Sequence, residues 1–233
     1  MTGEAALEAQ KDRLRRRFIK HTRRAFRALP TLDRPHILDV GCGSGVPTME
    51  LARLSHGDIL GIDIDQPSLD RFTRNIEAAG LSGRVKAVRL SMFDMDFPNG
   101  SFDIIWTEGA MAVIGFERGL KEWRRFLRPN GFLVVHDQTG NMAEKLEQVR
   151  RCGYNLLQHF ALPEDEWWTE FYAPLEKCIA ELGPRCAEDR EALAALNRDR
   201  RFIEVFKQDP GKYGSVFFVM KKAAAKRSMR GGL

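Results

Sequence analysis

Apolar residues first recur at Leu7, Leu14, Phe18, Ala25 and Leu29, spacings that keep them on one stripe of a helix. Lysines and arginines between positions 11 and 27 crowd its other faces, and Pro30 ends it. From His36 the pattern changes to short apolar runs alternating with helix-period segments. Residues 36–40, 58–64, 85–90, 102–107, 132–136 and 154–161 read as strands, and 47–54, 68–79, 116–127 and 142–152 as helices. Leu69, Phe72, Ile76 and Ala79 share one helical face, and Gly80 stands where a helix ends. Asn130-Gly131 reads as a turn. Parallel neighbours need a crossover connection, so this alternation predicts a doubly wound α/β core with helices on both faces.

The order breaks after Leu162. An acidic aromatic loop over 163–172 precedes a helix carrying Leu175, Cys178, Ile179 and Leu182, stopped by Gly183-Pro184. A second helix over 188–207 and a turn over 211–214 lead to a last strand, 216–220. No helix follows that strand, so it is expected to return antiparallel. The expected organisation is a basic helical arm over 1–30 and a main domain over 31–222. Within that domain, 163–213 would be a helical insertion capping the substrate site. Residues 223–233 form a basic tail of disordered composition.

A chain of 233 residues with 43% hydrophobic content suits one α/β domain with a modest accessory element. The net charge of +5 hints at a polyanionic partner, but its distribution changes that picture. Residues 1–34 carry +6 and 221–233 carry +5, whereas 35–220 are net −6. A wholly basic nucleic-acid-coating domain is excluded. No apolar run approaches the roughly 18 residues that span a bilayer, and no apolar leader opens the chain, which reads as a cytoplasmic protein. Cys42, Cys152, Cys178 and Cys186 form no CxxC pair, so neither a disulfide framework nor a metal site is expected.

The chemistry concentrates in Ile37-Leu38-Asp39-Val40-Gly41-Cys42-Gly43-Ser44-Gly45. A buried strand running into closely spaced glycines lets a ligand press on the main chain. The third glycine comes one residue too early for the dinucleotide fingerprint, and a P-loop would need Gly-Lys-Ser/Thr. What fits is Asp39 inside the strand, the glycine loop, and Asp63 at the end of the next strand about 20 residues on, where a ribose would lie. Two carboxylates suit a cationic, ribose-bearing ligand.

These residues resemble motif I and the ribose-binding acid of class I S-adenosylmethionine-dependent methyltransferases. Residues 91–103 are similar to the adenine-binding loop and following strand of the type 11 group, which is similar to the ubiquinone and menaquinone C-methyltransferases. The resemblance covers roughly 35–222. It implies a Rossmann-like, seven-stranded, mostly parallel sheet with an antiparallel last strand. It also implies S-adenosyl-L-methionine as methyl donor, S-adenosyl-L-homocysteine as product, and a small-molecule acceptor. The cofactor set it implies is Asp39, Gly41, Cys42, Gly43, Gly45, Asp63, Ile64, Ser91, Met92, Phe93, Asp94 and Glu108. Met92 would offer backbone contacts to adenine, and Asp94 would accept from its amine.

Methyl transfer from a sulfonium is an in-line displacement, so the protein has to place a nucleophile behind the methyl and exclude water. Glu108 and His136 follow the fourth and fifth strands, at the rim where open α/β sheets place ligands, and are the expected catalytic residues. Each has a structural alternative, a helix N-terminal acid for Glu108 and a satisfied core histidine for His136. Trp167, Trp168, Phe171 and Tyr172 read equally as a substrate lid and as core; Trp106 and Trp123 read as packing. The arm is expected to fold over the cofactor pocket, with an anionic substrate, RNA or an anionic membrane surface as other partners. The rival activities are an NAD(P)-dependent oxidoreductase and an RNA-binding protein on a methyltransferase-like scaffold.

Overall fold

The computed structural model describes residues 3–224. The expected tail therefore lies outside the described residues from position 225. Seven strands form one sheet: β1 (His36–Val40), β2 (Asp58–Asp63), β3 (Val85–Arg89), β4 (Phe102–Glu108), β5 (Leu127–Gln138), β6 (Tyr154–Ala161) and β7 (Ser215–Lys222), in the order β3-β2-β1-β4-β5-β7-β6. Neighbours from β3 through β5 pair in parallel. β7 is antiparallel to both its neighbours, inserted between β5 and β6. This is the expected mixed sheet with its reversed last strand.

Side chains alternate between the two faces of a strand, and here each face is covered. Leu38, Val40, Ile105, Leu133, Val135 and Phe218 belong to one core with α5 (Met111–Ile114), α6 (Phe116–Trp123) and α7 (Met142–Arg151). Ile37, Ile104, Trp106, Phe132, Val134 and Phe217 belong to the other, with α3 (Val46–Ser55), α4 (Gln66–Ala78) and the N-terminal arm. Arm positions Leu7, Leu14, Phe18, Ala25 and Leu29 are all at most 9% exposed, so the stripe is fully spent on this core. The arm is not one helix: a 3-10 turn over Arg16–Phe18 divides α1 (Gly3–Arg15) from α2 (Ile19–Arg27). α2 packs on α3, and α1 packs on α8 (Ala173–Leu182) and α9 (Arg190–Gln208) of the 163–213 segment.

Other departures from expectation are local. The helix expected over 116–127 stops at Trp123, because Leu127 already pairs with Phe102 in the sheet. Asn130, at φ 63°, makes its turn as an irregularity inside β5 and not before it. Between the pairs Phe102–Leu127 and Ile104–Phe132, β5 advances five residues where β4 advances two. The segment expected as a loop contains a π-helical stretch, Trp168–Tyr172.

Candidate active site

β1 ends in the glycine loop, and α3 begins immediately after it. Gly45 holds φ 77°, and a Cβ there would sit 2.0 Å from the Phe72 ring, so only glycine lets this loop lie against α4. The loop is fixed from the next strand: the Gly43 amide donates to Asp63 Oδ2 at 2.8 Å, and the Asp65 amide donates to Oδ1 at 2.9 Å. Asp65 in turn caps α4 by accepting from the Ser68 amide at 3.0 Å.

Two cavities, of about 360 and 320 Å³, meet along Gly41, Glu108 and Gly109, which line both. The smaller is walled by Asp63, Ile64, Ser91, Met92, Phe93 and Val113. Ile64, Phe93 and Val113 are 66%, 49% and 66% exposed, an unusual concentration of bare apolar side chains beside one carboxylate. The larger is walled by Asp39, Cys42, Gly43, Ser44 and His136, by Arg15, Phe18, Ile19 and Thr22 of the arm, and by Trp167. Most of the sequence-derived set is thus brought together. Gly45 lies behind the loop, and Asp94 is exposed and lines neither cavity. The Ser91 hydroxyl accepts from the Phe93 amide at 3.1 Å and closes its own turn.

The electrostatics are one-sided. Asp39 is buried and accepts from Thr48 Oγ1 at 2.6 Å; burial, with the Asp63 charge adding to it, pushes its carboxyl up to about 7. Glu108 Oε1 accepts from Trp106 Nε1 at 2.8 Å and Thr22 Oγ1 at 2.9 Å, and burial pushes this carboxyl to about 7 despite both donors. Among the described residues no lysine or arginine pairs with Asp39, Asp63 or Glu108. A site that holds three carboxylates without a counter-cation is suited to a positively charged ligand. Cys42 is buried and its thiol is pushed up by burial, which leaves it a packing residue of the loop.

His136 is 8% exposed, and its Nε2 has no hydrogen-bond partner. Its ring stacks on Phe217 at 4.4 Å and lies parallel to Trp167 at 6.2 Å. Burial, with a smaller contribution from His21, drives its pKa down to about 3, so the imidazole is neutral near pH 7. The aromatic segment divides. Trp167 lines the cavity, held by its Nε1 donating to Ser215 Oγ at 2.8 Å, while Trp168, Phe171 and Tyr172 pack against the core.

Sequence reasoning missed Thr22, Asp12 and Ser44. Asp12 is buried, accepts from Ser44 Oγ at 2.6 Å and from Arg15 at 3.1 Å, and so ties the arm to the glycine loop. The available signal was an acid and a threonine set among the arm's arginines.

Residues 37–131 match the family described as a methyltransferase domain. An uncharacterised protein of Haemophilus influenzae is 33% identical over 136 residues, covering 56% of this chain and 54% of that protein. A sterol 24-C-methyltransferase of Aspergillus fumigatus is 32% identical over 102 residues, covering 43% of this chain and 27% of that enzyme. The chain therefore spans about half of the first relative and about a quarter of the second. A Thiobacillus denitrificans S-adenosylmethionine-dependent methyltransferase, solved with S-adenosyl-L-homocysteine, shares the fold at TM-score 0.69 and 20% identity, covering 83% of this chain and 87% of that one. The family match runs from β1 into β5, the strands that carry the glycine loop, Asp63 and Glu108.

Proposed function

We propose that the protein transfers a methyl group from S-adenosyl-L-methionine to a small-molecule acceptor. The observation that carries this reading is the junction of the two cavities at Gly41, Glu108 and Gly109, which joins an apolar wall beside Asp63 to a second cavity lined by Asp39, Glu108 and His136. The residues fit the cofactor. The Asp63 carboxylate is held by two amides and keeps lone pairs for the ribose hydroxyls. Ile64, Phe93 and Val113 offer a bare apolar surface to adenine, with Met92 beside them. Asp39 and Glu108 supply negative charge near Gly41, where the amino acid portion and sulfonium would lie. Asp94, off the wall, is left out of this set.

When bound, the cofactor supplies an electrophilic methyl carbon. The chain's own part is to position, to exclude water and to take up a proton where the acceptor carries one. Glu108 and His136 project from paired positions of β4 and β5 toward the larger cavity and are the residues we assign to the acceptor side. The arm and Trp167 wall one side of that cavity. A small-molecule acceptor agrees with the chamber's size and with the sterol acceptor named for one relative.

Calorimetric titration with S-adenosyl-L-homocysteine tests the reading: binding at micromolar affinity or tighter is expected, with no comparable response to NADH or NADPH. Absence of binding would sink it.

A further inference from the structure

The larger cavity carries information about the acceptor itself. Its wall includes two polar atoms that nothing in the protein satisfies. Glu108 Oε1 already receives the Trp106 and Thr22 donors, which leaves Oε2 without a partner among the described residues. His136 Nε2, on a ring 8% exposed, is likewise unpartnered, and the residue lines the same cavity. Of these two atoms His136 Nε2 is the buried one; leaving such an atom unpaired costs about 1–3 kcal/mol, so a ligand that pairs with it gains correspondingly. Glu108 and His136 are register partners on adjacent parallel strands, so their side chains leave the same face roughly 4.8 Å apart. Both can meet neighbouring atoms of one small molecule.

The wall also says what the molecule is not. Its one lysine or arginine is Arg15, which is paired with Asp12 at 3.1 Å, while Glu8, Asp39 and Glu108 are all acidic. A carboxylate or phosphate acceptor would find one arginine, already paired with Asp12, against three acidic side chains. An ammonium fails for a different reason: a carboxylate beside it raises its pKa and keeps the nucleophilic lone pair occupied by a proton. A hydroxyl escapes both objections, since its proton is shared with the carboxylate and then given up to it. Flat aromatic surfaces complete the chamber. Phe18 stacks on Trp167 at 4.4 Å, and Trp167 lies parallel to His136, with Trp167 locked by Ser215.

We propose that the acceptor is an uncharged, planar hydroxy compound of the phenol class, its reacting hydroxyl on Glu108 Oε2 and a second, adjacent polar substituent on His136 Nε2. This deepens the methyl-transfer reading and rests on it. In the reaction the hydroxyl oxygen forms the O–C bond, the C–S bond breaks with its electron pair staying on sulfur, and the hydroxyl proton passes to Glu108. The raised carboxyl of Glu108, at about 7, suits a group that takes up that proton near neutral pH.

The experiment uses the full chain and four naphthalene-sized or indole-sized probes: 2,3-dihydroxynaphthalene, 2-naphthol, 2-naphthoate and tryptamine. Each is titrated into protein saturated with S-adenosyl-L-homocysteine, and each is incubated with methyl-labelled cofactor for mass and NMR analysis of the product. The diol is expected to bind tightest and to give a methyl ether, the naphthol to follow, and the acid and the amine to give neither. Glu108→Gln, assayed at saturating cofactor so that any change in cofactor affinity is measured separately, should lower ether formation by about a hundredfold or more. His136→Phe should raise KM for the diol to near that of the naphthol and leave the naphthol's own KM within about threefold, a split that a purely structural histidine would not produce. Preference for the acid or the amine, methylation on carbon, or failure of all four probes to bind the S-adenosyl-L-homocysteine complex would overturn the proposal while leaving methyl transfer standing. Failure to bind S-adenosyl-L-homocysteine itself would instead remove the reading beneath it.

Discussion

Replacing Glu108 by glutamine isolates the cost of holding an unpaired carboxylate in the site. The substituted amide would keep an oxygen to accept from Trp106 and Thr22, so the change removes charge with little change of shape. The folded-state pKa of Glu108 is about 7 against an ordinary 4.5. Below pH 4.5 the group is protonated in both states and contributes nothing. Between 4.5 and 7 the unfolded chain ionises while the folded one does not, and the destabilisation grows with pH; above 7 it is complete. A difference of about 2.5 units corresponds to roughly 3 kcal/mol, trimmed to about 2–3 by water in the cavities. For a chain of this size that is a Tm increase of about 4–10 °C for the ligand-free variant at pH 8. Thermal melts of both proteins at pH 5 and pH 8 are the assay. The gap between the two should shrink to about a quarter at the lower pH, where less than about 1 kcal/mol of the wild-type penalty remains. A variant that melts at or below the wild-type temperature at pH 8 would show that the Glu108 charge is accommodated in the free protein, refuting the account of a site strained toward a cationic ligand.

Asp63→Ala removes the ribose acceptor and the anchor of the Gly43 amide, and should weaken S-adenosyl-L-homocysteine binding at least about tenfold by calorimetry; an affinity within threefold of wild type would contradict the assignment. Gly45→Ala forces a Cβ to 2.0 Å from Phe72 at φ 77°, and should cost roughly 3 kcal/mol or more, read as a Tm fall of about 6 °C or greater. Thr22→Val keeps the shape of the arm but removes a donor that holds the Glu108 carboxyl down. The acidic limb of the pH–rate profile should then move upward by about half a unit to one unit. An unmoved limb would exclude Thr22 from the site.

The sheet was legible because its strands are short apolar runs separated by crossovers, a pattern that leaves little choice of architecture. The glycine loop was legible because its glycines answer to local backbone geometry, as Gly45 against Phe72 shows. What stayed hidden depends on contacts far apart in sequence. The four-residue helix Met111–Ile114 is too short to carry a period. Nothing in the arm's stripe marks the break at Arg16–Phe18, yet that break brings Phe18 to Trp167 and Thr22 to Glu108. Trp106 read as packing, and it is fully buried, but its Nε1 also holds Glu108. Trp167 and Trp168 are adjacent and chemically identical; Ser215, Phe18 and His136 hold Trp167 at the cavity wall, while Trp168 stacks on Phe206.

The split between a basic arm and an acidic body has a structural use once the arm is docked. Lys11 pairs with Asp199, Arg17 with Glu170, Lys20 with Glu166 and Arg23 with Glu50, while arm acids Glu8 and Asp12 meet Arg71. Such partly exposed pairs contribute about 0–1 kcal/mol each and cannot by themselves hold two helices in place. Burying Leu7, Leu14, Phe18 and Leu29 contributes about 1.5–3 kcal/mol per side chain, so the apolar stripe supplies the docking energy and the charges set its register. That register matters because Thr22 must reach Glu108 and Asp12 must reach Ser44 at the same time. Many of the arginines that suggest a nucleic acid partner in the sequence are thereby engaged by the body, and Arg24 lies over the Phe160 ring at 3.9 Å. The positive charge of the arm is an internal complement to the fold, and it helps to hold arm side chains in the wall of the larger cavity.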